Sequence, residues 1–181
     1  MKKALKEADI DEVQTLYRNP WFSVQKASID LGEAQRRDFY AVHHDRPAVG
    51  IVAMQEEKIL LIKQYRYLID RVVWAIPSGG VDPDETPLCA ARRELVEESG
   101  YRAKHLRELI RYHPSYGSSD QLFITFLATD LEFVGMEEDQ DEVMDTGWFS
   151  LDAIRQMIAS GDMPDGLSLV PLLLLLADPT R

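Results

Sequence analysis

Three shortages bound what this chain can do. It has one cysteine, Cys89. A lone thiol excludes an internal disulfide and a cysteine-rich zinc site, and it fits a reducing compartment. The chain is also short of positive charge: 20 Lys and Arg stand against 31 Asp and Glu, for a formal net charge of -11. The resulting long-range field opposes nucleic-acid backbones and anionic membranes, so neither is expected as a partner. A chain this acidic that handles phosphates needs metal ions to screen them. Finally, it has no long hydrophobic run. The longest, "LVPLLLLLA" from Leu169 to Ala177, falls well short of the ~20 residues that cross a bilayer. It reads as a buried C-terminal helix.

Other signatures are missing too. The start "MKKALKEADIDEVQTLY" is basic but has no apolar stretch behind it, so no signal peptide is expected and the cytoplasm is the expected location. There is no internal repeat and no low-complexity segment. Neither a nucleophile elbow nor a glycine-rich phosphate loop of the Walker type occurs. The histidines, His43, His44, His105 and His113, do not fall at metal-ligand spacing with a carboxylate on a helix, so zinc is not expected.

What is present describes a globular protein of 181 residues, sized for one domain with a small appendage. Met1 to Tyr17 is weakly periodic and reads as a helix or a loose arm. "WFSVQKASIDL" and "RRDFYAVHH" read as strands. "AVGIVAMQ" and "KILLIKQYR" read as a hairpin of buried strands across a polar connection. "VVWAIPSGG" reads as one short strand stopped by Pro77 and two glycines. Thr86 and Pro87 open a helix that Gly100 closes, with Leu88, Ala91 and Leu95 as its core stripe. Further strands follow at "LRELIRYHP", "LFITFLATDL" and "GWFS". Two more helices follow at "LDAIRQMIASG" and the leucine run. Strands outnumber helices, which argues for an α+β fold or a mixed sheet with helices on its faces.

The informative stretch is "GGVDPDETPLCAARRELVEESGY", Gly79 to Tyr101. Spacings of three and four put Glu94, Glu97 and Glu98 on one side of the expected helix. Ala91 and Leu95 lie beside them and anchor that side to a sheet. Like charges about 4 Å apart repel by ~1 kcal/mol in water and ~4 kcal/mol near a low-dielectric surface. A hard cation reverses the sign, and Mg²⁺ takes oxygen ligands while sharing phosphate oxygens with substrates. The "PSGG" turn can aim backbone carbonyls at the same place. The competing reading is a solvated helix face.

The spacing decides between them. Gly79, five residues, Glu85, seven residues, then "RELVEESGY" resembles the box of the Nudix hydrolase family at every fixed position. The resemblance implies an α/β/α sandwich, a mixed sheet between helices, over 47–181. It also implies an antiparallel strand extension over 1–46. The activity implied is hydrolysis of a nucleoside diphosphate linked to another group. By position, Glu94, Glu97 and Glu98 would hold Mg²⁺, for which Mn²⁺ could substitute, and the carbonyl of Ser78 would add a ligand. Arg93 would orient the carboxylates. Glu85 would support the loop–helix turn or reach a metal through water.

"LLIKQYR" followed by "WAIPSGG" is similar to the ADP-ribose pyrophosphatase and nucleotide-sugar hydrolase branch. There an arginine at the position of Arg66 contacts substrate phosphates. "HPSYGSSDQ" resembles that branch's substrate loop. Ser115 lies in it, and Tyr116 stands where a proline is common and could stack on a base or sugar. Gln121 replaces a glutamate. The acidic run "MEEDQDEVMD" implies a carboxylate that closes over the substrate and activates water, with Glu142 and then Glu138 as candidates and Glu98 as the alternative. The N-terminal strands imply exchange across a homodimer, with Trp21 or Phe22 against the substrate's base.

Ala75 stands where the branch often has glutamate, which leaves GDP-mannose and other nucleotide sugars open beside ADP-ribose. A non-catalytic sensor would be expected to lose box carboxylates, all of which are kept. A nucleoside-triphosphate sanitiser would be expected to have a shorter N-terminus and to lack the Pro114 loop.

Overall fold

The computed structural model describes residues 9–32, 35–135 and 143–178. Its central sheet follows from strands that are apolar on both faces. Along β4 (Ala48–Gln55), Val49, Ile51 and Ala53 face one side and Val52 the other. Along β5 (Lys58–Arg66), Leu60 joins the first side while Ile59 and Leu61 join the second. These two strands form a hairpin across Glu56 and Glu57, both at positive φ. β9 (Phe123–Phe133) runs parallel to β4 and antiparallel to β8 (Tyr101–Tyr112), and β10 (Asp145–Ser150) is antiparallel to β5. The order is β10-β5-β4-β9-β8, a mixed sheet.

Helices cover both faces. Ala90, Ala91 and Leu95 of α1 (Pro87–Ser99) pack in the first cluster. Ile154 of α2 (Leu151–Ser160) and Leu172 and Leu175 of α3 (Gly166–Ala177) pack in the second. The fold is α+β, with a sheet between helix layers, as the resemblance implies. Thr86 Oγ1 accepts from the Cys89 N–H at 3.2 Å, Pro87 takes the first helical position and Gly100 closes α1 at φ 71°. Leu88 is a correction: it lies outside the core cluster and is 39% exposed, while Ala90 is fully buried.

"VVWAIPSGG" is two strands rather than one. β6 (Arg71–Ala75) pairs with β5, whereas β7 (Ser78–Gly80) pairs with β4. The switch falls at Ile76 and Pro77. Proline has no N–H to continue a ladder, and the Ile76 N–H is taken by Ser168 Oγ of α3 at 3.1 Å. The Pro77 carbonyl accepts from the Ile51 N–H at 2.8 Å. Ser78 and Gly79 are thereby delivered to the edge of the sheet beside α1.

The described residues divide into two compact units: those up to Arg46 together with Ser115–Gln121, and Pro47–Pro114 together with those from Leu122 onward. In the first, β1 (Ile10–Arg18), β2 (Ser23–Gly32) and β3 (Gln35–His43) form an antiparallel sheet. The expected helix or loose arm up to Tyr17 is therefore a strand from Ile10 onward, because pairing with β2 overrides a weak local pattern. Ser115–Gln121 lies with β3, through Val42 N–H to Ser118 O at 2.9 Å and Asp120 N–H to Val42 O at 3.2 Å. Among the described residues no helix is long and apolar enough to cross a membrane.

Candidate active site

With α1 fixed in rotation by Ala91 and Leu95, its acids are presented towards β7. The approach is close. A Cβ on Gly79 would lie 2.0 Å from Glu94 Oε1, so only glycine leaves room for that carboxylate. Arg93 binds the surrounding acids together. Its Nη1 donates to Glu94 Oε1 at 2.7 Å and to Glu97 Oε2 at 2.9 Å. Its Nε and Nη2 donate to Glu85 at 3.2 and 3.0 Å, and Nη2 also donates to the Gly80 carbonyl at 3.0 Å. A planar guanidinium can serve so many acceptors at once. The Arg93 bonds hold the Glu85 carboxyl below the usual carboxylate range. Glu85 in turn accepts from the Asp82 N–H at 3.2 Å, which closes the loop ahead of α1.

Glu98 is different in kind. It is 8% exposed. Its Oε1 accepts from Gln64 Nε2 at 2.8 Å and its Oε2 from the Ser78 N–H at 2.5 Å, so the plane of the carboxylate is set at both ends. Burial pushes its pKa up to about 7, against the pull of those two donors, with the Glu94 charge adding to the rise and Arg66 opposing it. Burial also raises Glu94, against the pull of Arg93. Glu97 is the most open of the three, with its side chain 40% exposed.

A cleft of about 670 Å³ opens beside this group. Gln64, Arg66 and Ser78 line it with polar groups, and Tyr67, Leu68 and Met144 with apolar ones. Arg66, at the end of β5, thus shares a cleft with the residues that hold Glu98.

The donor set suits a hard divalent cation. Every side-chain ligand on offer is a carboxylate oxygen, and Arg93 takes only one oxygen each of Glu94 and Glu97. Gln64 Oε1 is the one buried side-chain polar atom without a hydrogen-bond partner among the described residues. Leaving such an atom unpaired costs about 1–3 kcal/mol. Among the described residues no group of three or more His, Cys, Asp or Glu side chains is already placed to hold a metal ion. Arg93, Gln64 and the Ser78 N–H instead carry the negative charge of the acids.

The structure thus brings Ser78, Glu85, Arg93, Glu94, Glu97 and Glu98 together and sets Arg66 in the adjoining cleft. Trp21, Phe22, Ser115 and Tyr116 belong to the other compact unit. There Trp21 is exposed, with its N–H on Asn19 Oδ1 at 2.9 Å. Phe22 sits 6.2 Å from Tyr17 and 6.1 Å from His44, ring centre to ring centre. Ser115 Oγ meets Ser118 Oγ at 2.8 Å, and Tyr116 is 88% exposed. Asp120 anchors that loop through the His44 N–H at 2.8 Å and the His43 ring. Glu138 and Glu142 lie outside the described residues. Sequence reasoning passed over Gln64, although a signal was there: a polar side chain at a buried position of an otherwise apolar strand.

Comparison with known proteins gives the family. A family model described as the NUDIX domain matches residues 44–166. The chain belongs to the Nudix family. It is 30% identical over 144 residues to a protein named ADP-ribose pyrophosphatase from Bacillus subtilis (strain 168), covering 78% of this chain and 77% of that one. It is 31% identical over 145 residues to ADP compounds hydrolase NudE of Escherichia coli (strain K12), with the same coverage, 78% and 77%. It is 28% identical over 148 residues to a CMP-5'-(N-acetyl-N-hydroxy-3-aminopropyl)phosphonate hydrolase of Streptomyces rubellomurinus (strain ATCC 31215), covering 82% and 72%. Among solved structures, a crystal structure of an ADP compounds hydrolase superposes with a TM-score of 0.84 at 25% identity, over 96% of this chain and 94% of that one. Nudix hydrolases generally use a divalent metal.

Two outcomes follow from the geometry. Gly79→Ala should fold, because the clashing atoms are the far end of a flexible side chain, but Glu94 must leave its place. Stability should drop by about 1 kcal/mol while Mn²⁺ affinity, measured by calorimetry, drops at least tenfold. Wild-type affinity would refute the close-approach argument.

The second concerns pH in the metal-free chain. Glu98 holds its proton more tightly folded, about 7, than at its ordinary 4.5. Its contribution to stability is therefore full below pH 4.5 and is lost as pH rises through 7. A shift of that size corresponds to roughly 3 kcal/mol. Urea unfolding in EDTA should show wild type losing that much relative to Glu98→Gln between these limits, and a constant difference would reject the assignment.

Proposed function

We infer that this chain is a Nudix pyrophosphohydrolase that hydrolyses the diphosphate of a nucleoside-diphosphate sugar, ADP-ribose first, using Mg²⁺ or, in its place, Mn²⁺. The products are a nucleoside monophosphate and a sugar phosphate. The observation that carries this reading is the arrangement of Glu94, Glu97 and Glu98 around Arg93 and Ser78, beside a cleft that holds Arg66. The names of the two bacterial relatives, ADP-ribose pyrophosphatase and ADP compounds hydrolase, support the choice of substrate class.

A bound divalent cation supplies charge neutralisation for the diphosphate and an acidified water. Glu94, Glu97 and Glu98 offer the carboxylate oxygens that would hold it, and the Ser78 carbonyl is proposed as a further ligand. Arg93 keeps two of those carboxylates in position. Arg66 donates to phosphate oxygens through guanidinium N–H groups, which strengthens as charge gathers there. The water oxygen bonds to phosphorus as the bridging P–O bond breaks, and its proton passes to a carboxylate. Glu98 is the proposed acceptor among the described residues. Glu142 and then Glu138 are the proposed acceptors in the acidic run. Ser115, Tyr116, Trp21 and Phe22 are proposed contacts for the base and sugar.

The proposed assembly is a homodimer through the N-terminal strands. Exposed apolar side chains on that sheet, Val13, Leu16, Tyr17 and Tyr40, support it. The net charge of -11 supports a small-molecule substrate over nucleic acid or a membrane.

Two measurements test this. ADP-ribose, GDP-mannose, UDP-glucose and a dinucleotide are incubated with Mg²⁺ and scored for monophosphate release. AMP from ADP-ribose should lead, and Glu98→Gln should cut turnover by about 10²–10⁴-fold with an unchanged circular-dichroism spectrum. Binding of these compounds without release from any of them would mean a sensing module instead. Light scattering at micromolar concentration should give twice the chain mass, and a monomer would overturn the dimer.

A further inference from the structure

Gln64 has no role among the residues of the box, yet it is the most unusual buried side chain of the central sheet. It is 2% exposed on β5. Ile62 and Leu60, at the positions two and four residues before it, are apolar and buried. Packing alone would place a leucine or methionine there, because a buried amide is tolerated only when both its ends are bonded. Only one end is. Nε2 donates to Glu98 Oε1 at 2.8 Å, and Oε1 has no partner. With Glu98 ionised, as holding a cation would require, turning the amide over would set its carbonyl against a carboxylate oxygen, so the orientation follows from the bonding. Gln64 also lines the cleft together with Arg66 and Ser78.

The chemistry of an amide carbonyl narrows what can meet it. It accepts hydrogen bonds and donates none. Phosphate and carboxylate oxygens are acceptors at neutral pH and cannot pair with it. A water held by a divalent cation can, since Mg²⁺ retains several waters when it binds to proteins through carboxylates. We propose that Gln64 is a positioning residue with two hands: its N–H fixes Glu98 and its carbonyl receives a water of the cation that Glu98 helps to hold. This rests on the metal-dependent reading above. Gln64 touches neither phosphorus nor leaving group, and acts through Glu98 and the hydrate. The ordered amide would then lower the freedom of both a ligand and a water before substrate arrives, as partners of metal ligands do elsewhere.

The test compares wild type, Gln64→Met and Gln64→Glu without substrate. Methionine keeps the volume and loses both polar ends. Glutamate keeps an acceptor at the same reach. Mn²⁺ affinity is read from the electron paramagnetic resonance signal of the free ion, and thermal unfolding is recorded in EDTA. Gln64→Met should bind Mn²⁺ about tenfold more weakly, with a melting temperature in EDTA within a few degrees of wild type, and Gln64→Glu should recover most of the affinity. Wild-type affinity in Gln64→Met overturns the proposal. So does a loss of affinity that Gln64→Glu fails to recover, or that tracks a collapse in the EDTA melting temperature, because either marks a purely structural residue. If Gln64→Met does not fold, Gln64→Leu, which also loses both polar ends, takes its place under the same criteria. Wild type that neither binds Mn²⁺ nor releases AMP from ADP-ribose would instead overturn the metal-dependent reading itself. Wild type that does both, with Gln64→Met equal to it, removes the Gln64 proposal alone.

Discussion

Carboxylates brought to within about 4 Å of each other beside a protein surface repel by ~4 kcal/mol a pair. The end of α1 gathers such groups against a strand, and Arg93 is what makes the arrangement stand. Its guanidinium reaches Glu94, Glu97 and both oxygens of Glu85, and it also reaches the Gly80 carbonyl. A lysine has no planar fork with which to do this. Helix, preceding loop and β7 are thus tied at one cation. Arg93 takes one oxygen each from Glu94 and Glu97.

The scaffold around that cation serves mainly to place it. Strands buried on both faces hold α1 on one side of the sheet and α2 and α3 on the other. The chain changes pairing partner at Ile76 and Pro77, with Ser168 of α3 accepting the Ile76 N–H. A helix on the far face therefore helps to set where Ser78 points its N–H. That N–H meets Glu98 Oε2 at 2.5 Å. Gly79, next along, lacks the side chain that would displace Glu94.

Stability is given up at this site. Glu98 is buried with its proton affinity raised, and Gln64 carries an unpaired carbonyl beside it. An apolar pair would pack at less cost. Under the proposed function that cost is offset by a hydrated divalent cation, which brings both positive charge and hydrogen-bond donors.

Much of this could be read before any fold was known. Local rules were enough for α1: a threonine cap, a proline at its first position, a glycine at its end, and acids spaced to share a side. Those rules work because cap geometry and the helical period are set within a few residues. The fixed pattern from Gly79 to Tyr101 likewise carried the family, since it is a spacing along one continuous segment. Contacts between distant segments were not legible. Leu88 shares the helical phase of Leu95, but only packing shows that it lies outside the core. The first strand needed β2 beside it to exist. "VVWAIPSGG" splits in two because β4 and β5 compete for its ends. Ser115–Gln121 leaves the central sheet for β3 through backbone bonds that no local pattern encodes. Gln64 could be seen as a polar residue on an apolar strand, but its meaning depends on Glu98, thirty-four positions away along the chain. The sequence by itself determined the composition of the acidic helix and its family, because those are local and periodic. Tertiary structure alone decided which carboxylate is buried, which donors hold it and which oxygen is left over, because those depend on what the rest of the chain brings alongside.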